Sequence, residues 1–242
     1  MSGSRERPQH ERSRETPGAV RCGVLLACAL LGGGRPTPAQ DGPAAVLDRL
    51  QGWLDGTRTL EARFEQTLVS GALGGGLVER GRVYLDRPGR LRFDYTEPER
   101  KVAIVVDDRT WLYLAGERQL LLGRLGAEGD LLPALLAGAK PLAQLFEATF
   151  DTGGPPPSDA PYRLALRPRG AAEGLERIVV TLRAPTFALE SAEVLDAAGN
   201  RMDYAFSAVH RNGRLPRGAF AFEPPPGTEI SGSHAPAQAA GS

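Results

Sequence analysis

Side chains able to do nucleophilic, acid–base or metal chemistry are few in this chain and poorly spaced for it. The three histidines are His10, His210 and His234, and the two cysteines are Cys22 and Cys28. No His/Cys group has metal-ligand spacing. A Gly-x-Ser-x-Gly elbow, a phosphate-cradling loop and a dinucleotide fingerprint are all missing. Two acidic pairs could serve as general acid and base, Asp107 with Asp108 and Glu97 with Glu99. Both stand in turn-like sequence, where carboxylates are usually solvated. His210, beside Arg211 and Asn212, sits at the end of a strand-like segment, a common place for an exposed histidine. The expectation is a non-enzyme, with no metal and no cofactor.

What the chain offers instead is a greasy surface. In Arg87-Pro88-Gly89-Arg90-Leu91-Arg92-Phe93-Asp94-Tyr95, Pro88 and Gly89 suit the two central positions of a turn. In the strand after that turn, Leu91, Phe93 and Tyr95 fall on one face, and Arg90, Arg92 and Asp94 on the other. Large apolar groups on one face, with almost no catalytic inventory, point to holding something apolar.

The amino terminus is read apart from the fold. Arg5, Arg7, Arg12, Arg14 and Arg21 form a basic region, followed by the short apolar run Gly23–Leu31 and then Thr37-Pro38-Ala39. That is the layout of a secretory signal peptide over residues 1–39, and its apolar run is too short to span a bilayer. Leu25-Leu26-Ala27-Cys28 also resembles a lipobox, which leaves open a lipidated Cys28 in place of cleavage. Both cysteines would depart with the signal peptide, leaving a domain at 40–230 without a disulfide and a disordered tail at 231–242. No other apolar segment is long enough to cross a membrane. Acidic and basic residues balance at 29 each, and the basic ones are dispersed, so no nucleic-acid footprint appears.

Along the domain, Val46, Leu47, Leu50 and Leu54 recur at helical spacing after Pro43, with Asp41 placed to cap a helix from Pro43 to about Trp53. From Leu60 the period becomes two. Strands are expected at 60–68, 77–85, 90–95, 101–106, 110–114 and 119–122, with hairpin turns at Asp107-Asp108 and Ala115-Gly116. Leu131, Leu132, Leu135 and Leu136 then form a helical stripe, and Pro141 opens a second short helix carrying Leu142, Leu145 and Phe146. Strands resume at 162–167, 175–182, 189–195 and 201–209, and a last one is expected at Phe220–Phe222. This is a mainly β chain with a few helices. The pattern suits one strongly curved antiparallel sheet whose concave apolar face needs a cover, and the leucine-rich helices can supply it. On periodicity alone those helices simply complete a core.

Several blocks in this order resemble the periplasmic outer-membrane lipoprotein carrier family (LolA-type). They are Phe64-Glu65-Gln66, the Gly81–Tyr95 block, Trp111-Leu112-Tyr113 after an acidic turn, and Phe220-x-Phe222-x-Pro224-Pro225-x-Gly227. The resemblance spans about Val46 to Thr228, and Phe93 stands where family members carry a tryptophan. It implies an incomplete half-barrel of about eleven antiparallel strands with a helical lid over an apolar cavity. It assigns Arg87 as the lid latch, since a guanidinium offers five fixed donors to lid carbonyls. Acyl chains would then meet Leu47, Leu50, Leu54, Phe64, Leu91, Phe93, Tyr95, Leu132, Leu135, Leu136 and Leu145.

The function implied is a monomeric periplasmic carrier of acylated lipoproteins. It would load from an inner-membrane lipoprotein-releasing ABC transporter complex and deliver to an outer-membrane lipoprotein acceptor. Two same-fold alternatives stay open at this point, a carrier of another amphiphile and an envelope-stress lipoprotein sensor.

Overall fold

Alternation of apolar and polar residues from Leu60 onward sends the apolar set to one side of a sheet. In the computed structural model, which describes residues 41–72, 75–124, 136, 140–157, 159–170 and 174–232, twelve strands among the described residues form one open sheet. They are β1 (Thr59–Val69), β2 (Gly76–Asp86), β3 (Arg90–Glu97), β4 (Lys101–Val106), β5 (Arg109–Leu114), β6 (Gln119–Arg124), β7 (Phe146–Phe150), β8 (Tyr162–Pro168), β9 (Leu175–Arg183), β10 (Ala188–Asp196), β11 (Arg201–Arg211) and β12 (Glu229–Gly232). Their order is β12-β6-β5-β4-β3-β2-β1-β11-β10-β9-β8-β7. Every pairing is antiparallel except β12 with β6, which is parallel. The half-barrel class is as expected.

Ten expected strands are found, to within about two residues at each end. The eleventh, at Phe220–Phe222, is not a strand; that segment runs as turn and irregular chain. Three prolines come next at 224–226, and proline has no N–H to give a ladder. Two strands were not anticipated. Phe146, expected to continue a helix, instead opens β7, so the helix from Pro141 shrinks to the single turn α2 (Leu142–Leu145). β12 includes Ser231 and Gly232, so the sheet continues past residue 230. Leu131, Leu132, Pro133, Leu135 and His234 lie outside the described residues.

Register divides the strands' side chains between two faces. On β3, Leu91, Phe93 and Tyr95 share a face with their partners Val105, Ala103 and Lys101. That concave face carries the main apolar cluster, which extends through Phe64, Val83, Ile178, Val180 and Val194 to Phe146. The opposite face carries a smaller cluster, Ile104, Trp111, Tyr113, Leu120 and Leu122. A strap from Gly213 to Thr228 covers part of it: Phe222 packs on Tyr113 at 5.1 Å between ring centroids. Arg92 Nη1 donates to the carbonyls of Ala219 and Ala221 at 3.0 and 3.2 Å, holding the strap down.

Helix α1 (Pro43–Asp55) lies against the concave face, burying Val46, Leu47, Leu50, Trp53 and Leu54. Pro43 occupies the first turn as expected. The cap position is Gly42, without a side-chain cap, and Asp41 pairs instead with Arg49 at 3.8 Å. α1 packs toward β7, β8, β10 and α2. Gln51 Oε1 accepts the Leu142 N–H at 2.8 Å, so α1 also holds the start of α2.

Candidate ligand cavity

The cavity is built where α1 ends over the middle of the sheet. Its walls are Trp53 and Leu54 from α1, Leu60, Ala62, Val83, Leu85 and Leu91 from β1–β3, Leu189, Phe206 and Val209 from β10 and β11, and Leu136. Every lining residue is apolar. The free space inside is only about 20 Å³, close to the room one water molecule needs. Drug-sized ligands fill pockets of roughly 300–1,000 Å³. The free space is therefore far too small for an acyl chain. Val209 both lines it and stays 37% exposed, which marks the side nearest solvent.

The cavity's shape owes much to one irregularity in β11. Glu61 pairs with His210 but Arg63 pairs with Ser207, so Ala208 and Val209 both stand opposite Ala62. Ala208 takes φ +48° in this bulge. A one-residue slip exchanges the faces beyond it. Arg211, opposite Leu60, is thereby brought to the helix side, and His210, opposite Glu61, is kept outside.

Arg211 clamps the end of α1. Its Nη2 donates to the Trp53 carbonyl at 2.9 Å and its Nε to Thr57 Oγ1 at 2.7 Å, with the guanidinium 4.6 Å from the centroid of the Trp53 ring. Asn212 adds an Nδ2 donor to the Gly56 carbonyl at 2.9 Å. These bonds satisfy carbonyls that a helix end leaves open. Burial lowers the Arg211 guanidinium below its ordinary value. At the other helix, Arg169 Nε reaches the carbonyls of Ala143 and Phe146, both at 2.9 Å. Sequence reading missed both arginines.

Arg87, the expected latch, stands at the same end of α1. Its side chain is 10% exposed and its Nη2 lies 3.5 Å from Asp55 Oδ1, on the last residue of the helix. Nη1 is buried with no hydrogen-bond partner among the described residues. Burial lowers its pKa, and the Asp55 carboxylate opposes that shift.

The other expected contacts divide in two. Leu54, Leu91 and Leu136 line the cavity. Leu47, Leu50, Phe64 and Phe93 are buried in the surrounding cluster, and Tyr95 and Leu145 pack partly buried against it, but none of these six lines the space. Leu132 and Leu135 lie outside the described residues. Phe64 is held by an absence: Gly81 is its partner on β2, and a Cβ there would fall 2.9 Å from Phe64 Cε1 and 2.0 Å from the Asp94 carbonyl oxygen. The ring packs edge-on against Phe93 at 5.1 Å and Tyr95 at 4.9 Å between centroids, making an aromatic shelf beside the cavity.

Beyond the shelf the concave face turns polar. Gln66 and Glu79 are cross-strand partners, 4% and 3% exposed. Tyr95 donates its hydroxyl to Gln66 Oε1 at 2.8 Å. Lys101 Nζ sits 2.5 Å from Glu79 Oε1 and 4.3 Å from the centre of the Tyr95 ring. Among the described residues there is no group of three or more metal-ligating side chains, and no helix is long and apolar enough to cross a membrane.

Known proteins share this arrangement of sequence. The outer-membrane lipoprotein carrier protein of Methylibium petroleiphilum is 32% identical over 190 residues, covering 77% of this chain and 89% of that protein. That of Dechloromonas aromatica is 27% identical over 190 residues, 78% of this chain and 88% of its own. That of Methylococcus capsulatus is 27% identical over 206 residues, 85% and 95%. The family model for the outer membrane lipoprotein carrier protein LolA matches residues 55–223, from the end of α1 into the strap. The chain belongs to the LolA family.

Proposed function

We propose that this protein binds the acyl chains of lipoproteins on its concave face and carries them through the periplasm. The observation that carries this reading is a wholly apolar cavity, with free room for about one water, under a helix whose last turn is clamped by Arg211. Each methylene left in water costs about 0.8 kcal/mol, so an acylated amino terminus needs shelter to cross an aqueous space. A carrier must also release its cargo. A cavity that collapses when empty helps, because closure regains packing that loading had given up. Loading must then displace part of the cover, which includes α1 and Leu136.

In this reading residues 1–39 direct export and are removed. An inner-membrane ABC transporter complex loads the carrier, and an outer-membrane acceptor unloads it. Arg87 is the latch: a nearly buried guanidinium at the end of α1, with a donor that has no partner among the described residues, can bind cover carbonyls in the empty state.

The test is photo-crosslinking in the exported protein, with groups placed at Leu91, Val83 and Phe206 and an acylated lipoprotein as cargo. Capture of the acyl chains at these sites, in protein whose intact mass lacks the first 39 residues, is the expected result. Cargo bound with no capture at any of the three overturns the cavity assignment. A diacylglyceryl group on Cys28 overturns the exported, unanchored form.

A further inference from the structure

The polar row across the concave face stands apart from the cavity. On β1, Gln66 lies between Phe64 and Leu68, and on β2, Glu79 lies between Gly81 and Leu77, all facing the same side. Tyr204 continues the row as the partner of Gln66 on β11. A single polar band thus crosses an otherwise apolar floor.

Two features of the band are not accounted for by stability. A largely buried carboxylate–ammonium pair is no better for folding than apolar residues of similar volume. Lys101 also satisfies only one side of its partner: Glu79 Oε2 is buried and has no hydrogen bond among the described residues. A buried acceptor left unmade is costly. In a binding protein such an acceptor is held ready for a donor that arrives with the ligand.

The placement says which donor. From Ala62 in the cavity wall to Gln66 is four residues of strand, about 13 Å at the usual rise. The stretch between is the aromatic shelf of Phe64, Phe93 and Tyr95. Beyond the band, Leu77 is 50% exposed and marks the rim. An acyl chain laid from the cavity over the shelf brings its head group to the band and directs the attached peptide out past the rim.

We propose that Glu79 is a ligand-binding residue whose free carboxylate oxygen accepts the amide N–H joining an acyl chain to a peptide amino terminus, with Lys101 holding the carboxylate in place. The subsite rests on the acyl-carrier reading and adds selectivity to it: an N-acylated peptide is favoured over an acyl chain that lacks the donor.

Two probes isolate that one hydrogen: N-lauroyl-glycyl-serinamide, and its analogue with an ester oxygen in place of the acyl N–H. Displacement of an apolar dye from the whole protein gives both affinities. Wild type should prefer the amide by about tenfold, since a hydrogen bond to a charged group is at stake. The double variant Glu79→Leu with Lys101→Met should bind both probes alike, the preference for the amide being lost. Glu79→Gln, which keeps the shape and loses the charge, should give an intermediate ratio and serves if the double variant does not fold. Equal binding of both probes by wild type, or an undiminished preference in the variants, overturns the subsite while leaving the carrier reading intact. Failure of wild type to bind either probe overturns the carrier reading and the subsite with it.

Discussion

One sheet supports two apolar clusters, and they are closed in different ways. On the convex face Ile104, Trp111, Tyr113, Leu120 and Leu122 lie partly under a strap that inserts Phe222 and is tied by Arg92. On the concave face a larger cluster lies under α1, whose far end is tied by Arg211 and Asn212 and whose seam with the sheet retains a small space. β3 serves both, sending Leu91 and Phe93 inward and Arg92 outward. The difference shows how a sheet can be rigid and still open. In the proposed function the convex cluster fixes the shape of β3–β6, and the concave cover is the part that must move.

The largest break in this comparison should come from the convex side. Trp111, 4% exposed, fills much of the smaller cluster. Trp111→Ala should cost about 3–5 kcal/mol of stability. Urea denaturation measures that loss, and acyl-probe affinity of the protein still folded should hardly change. A large loss of affinity with little loss of stability would reverse the roles assigned to the two faces.

Ala62→Phe attacks the other side. Ala62 lines the cavity and is 2% exposed, so a ring there occupies the space an acyl chain would enter. Overpacking should cost roughly 1–3 kcal/mol, and dye displacement should show probe affinity falling at least about tenfold, the equivalent of about 1.4 kcal/mol. Undiminished binding would place the ligand elsewhere.

The smallest stability effect separates two arginines at one helix end. Arg211→Leu removes donors to Trp53 and Thr57 and should cost roughly 1–3 kcal/mol. Among the described residues Arg87→Leu removes a 3.5 Å pairing with a carboxylate that is 60% exposed, and should cost less stability than Arg211→Leu. Its effect should appear in function: cargo accepted, onward transfer to acceptor membranes slowed. Arg82→Leu, on an exposed strand position paired with Glu61, is the charge control. Transfer as fast with Arg87→Leu as with Arg82→Leu would sink the latch.

The strands, their faces and the helix stripe of α1 were legible because burial imposes periods of two and 3.6 on the residues themselves. The residues that line the free space were less so. Phe64 and Phe93 face inward as read, but whether a side chain borders a void or a neighbour depends on elements distant in sequence. Arg211 was hidden by the bulge, since strict alternation from Phe206 would have turned His210 inward in its place. Phe220 and Phe222 had a strand's alternation, but they cover the convex side as part of a strap. Glu79 falls in the strand expected at 77–85 with nothing local to set it apart, and only the register beside Gln66 and near Lys101 shows it enclosed. A bulge, a strap and a cross-strand ion pair are all decided by partners the local sequence does not name.

The strap leaves β11 one residue after Asn212, and Asn212 itself accepts the Arg58 N–H through Oδ1 at 2.8 Å and donates its own N–H to the Thr59 carbonyl at 2.7 Å. The two residues that tie the inner helix are thus the ones from which the outer strap departs, at the exit of a bulge that sets which way they face. Straightening the bulge with all of its residues kept would shift the phase of everything downstream, turning Arg211 away from α1 and moving the root of the strap in the same stroke. The front and back doors of the sheet share one doorpost.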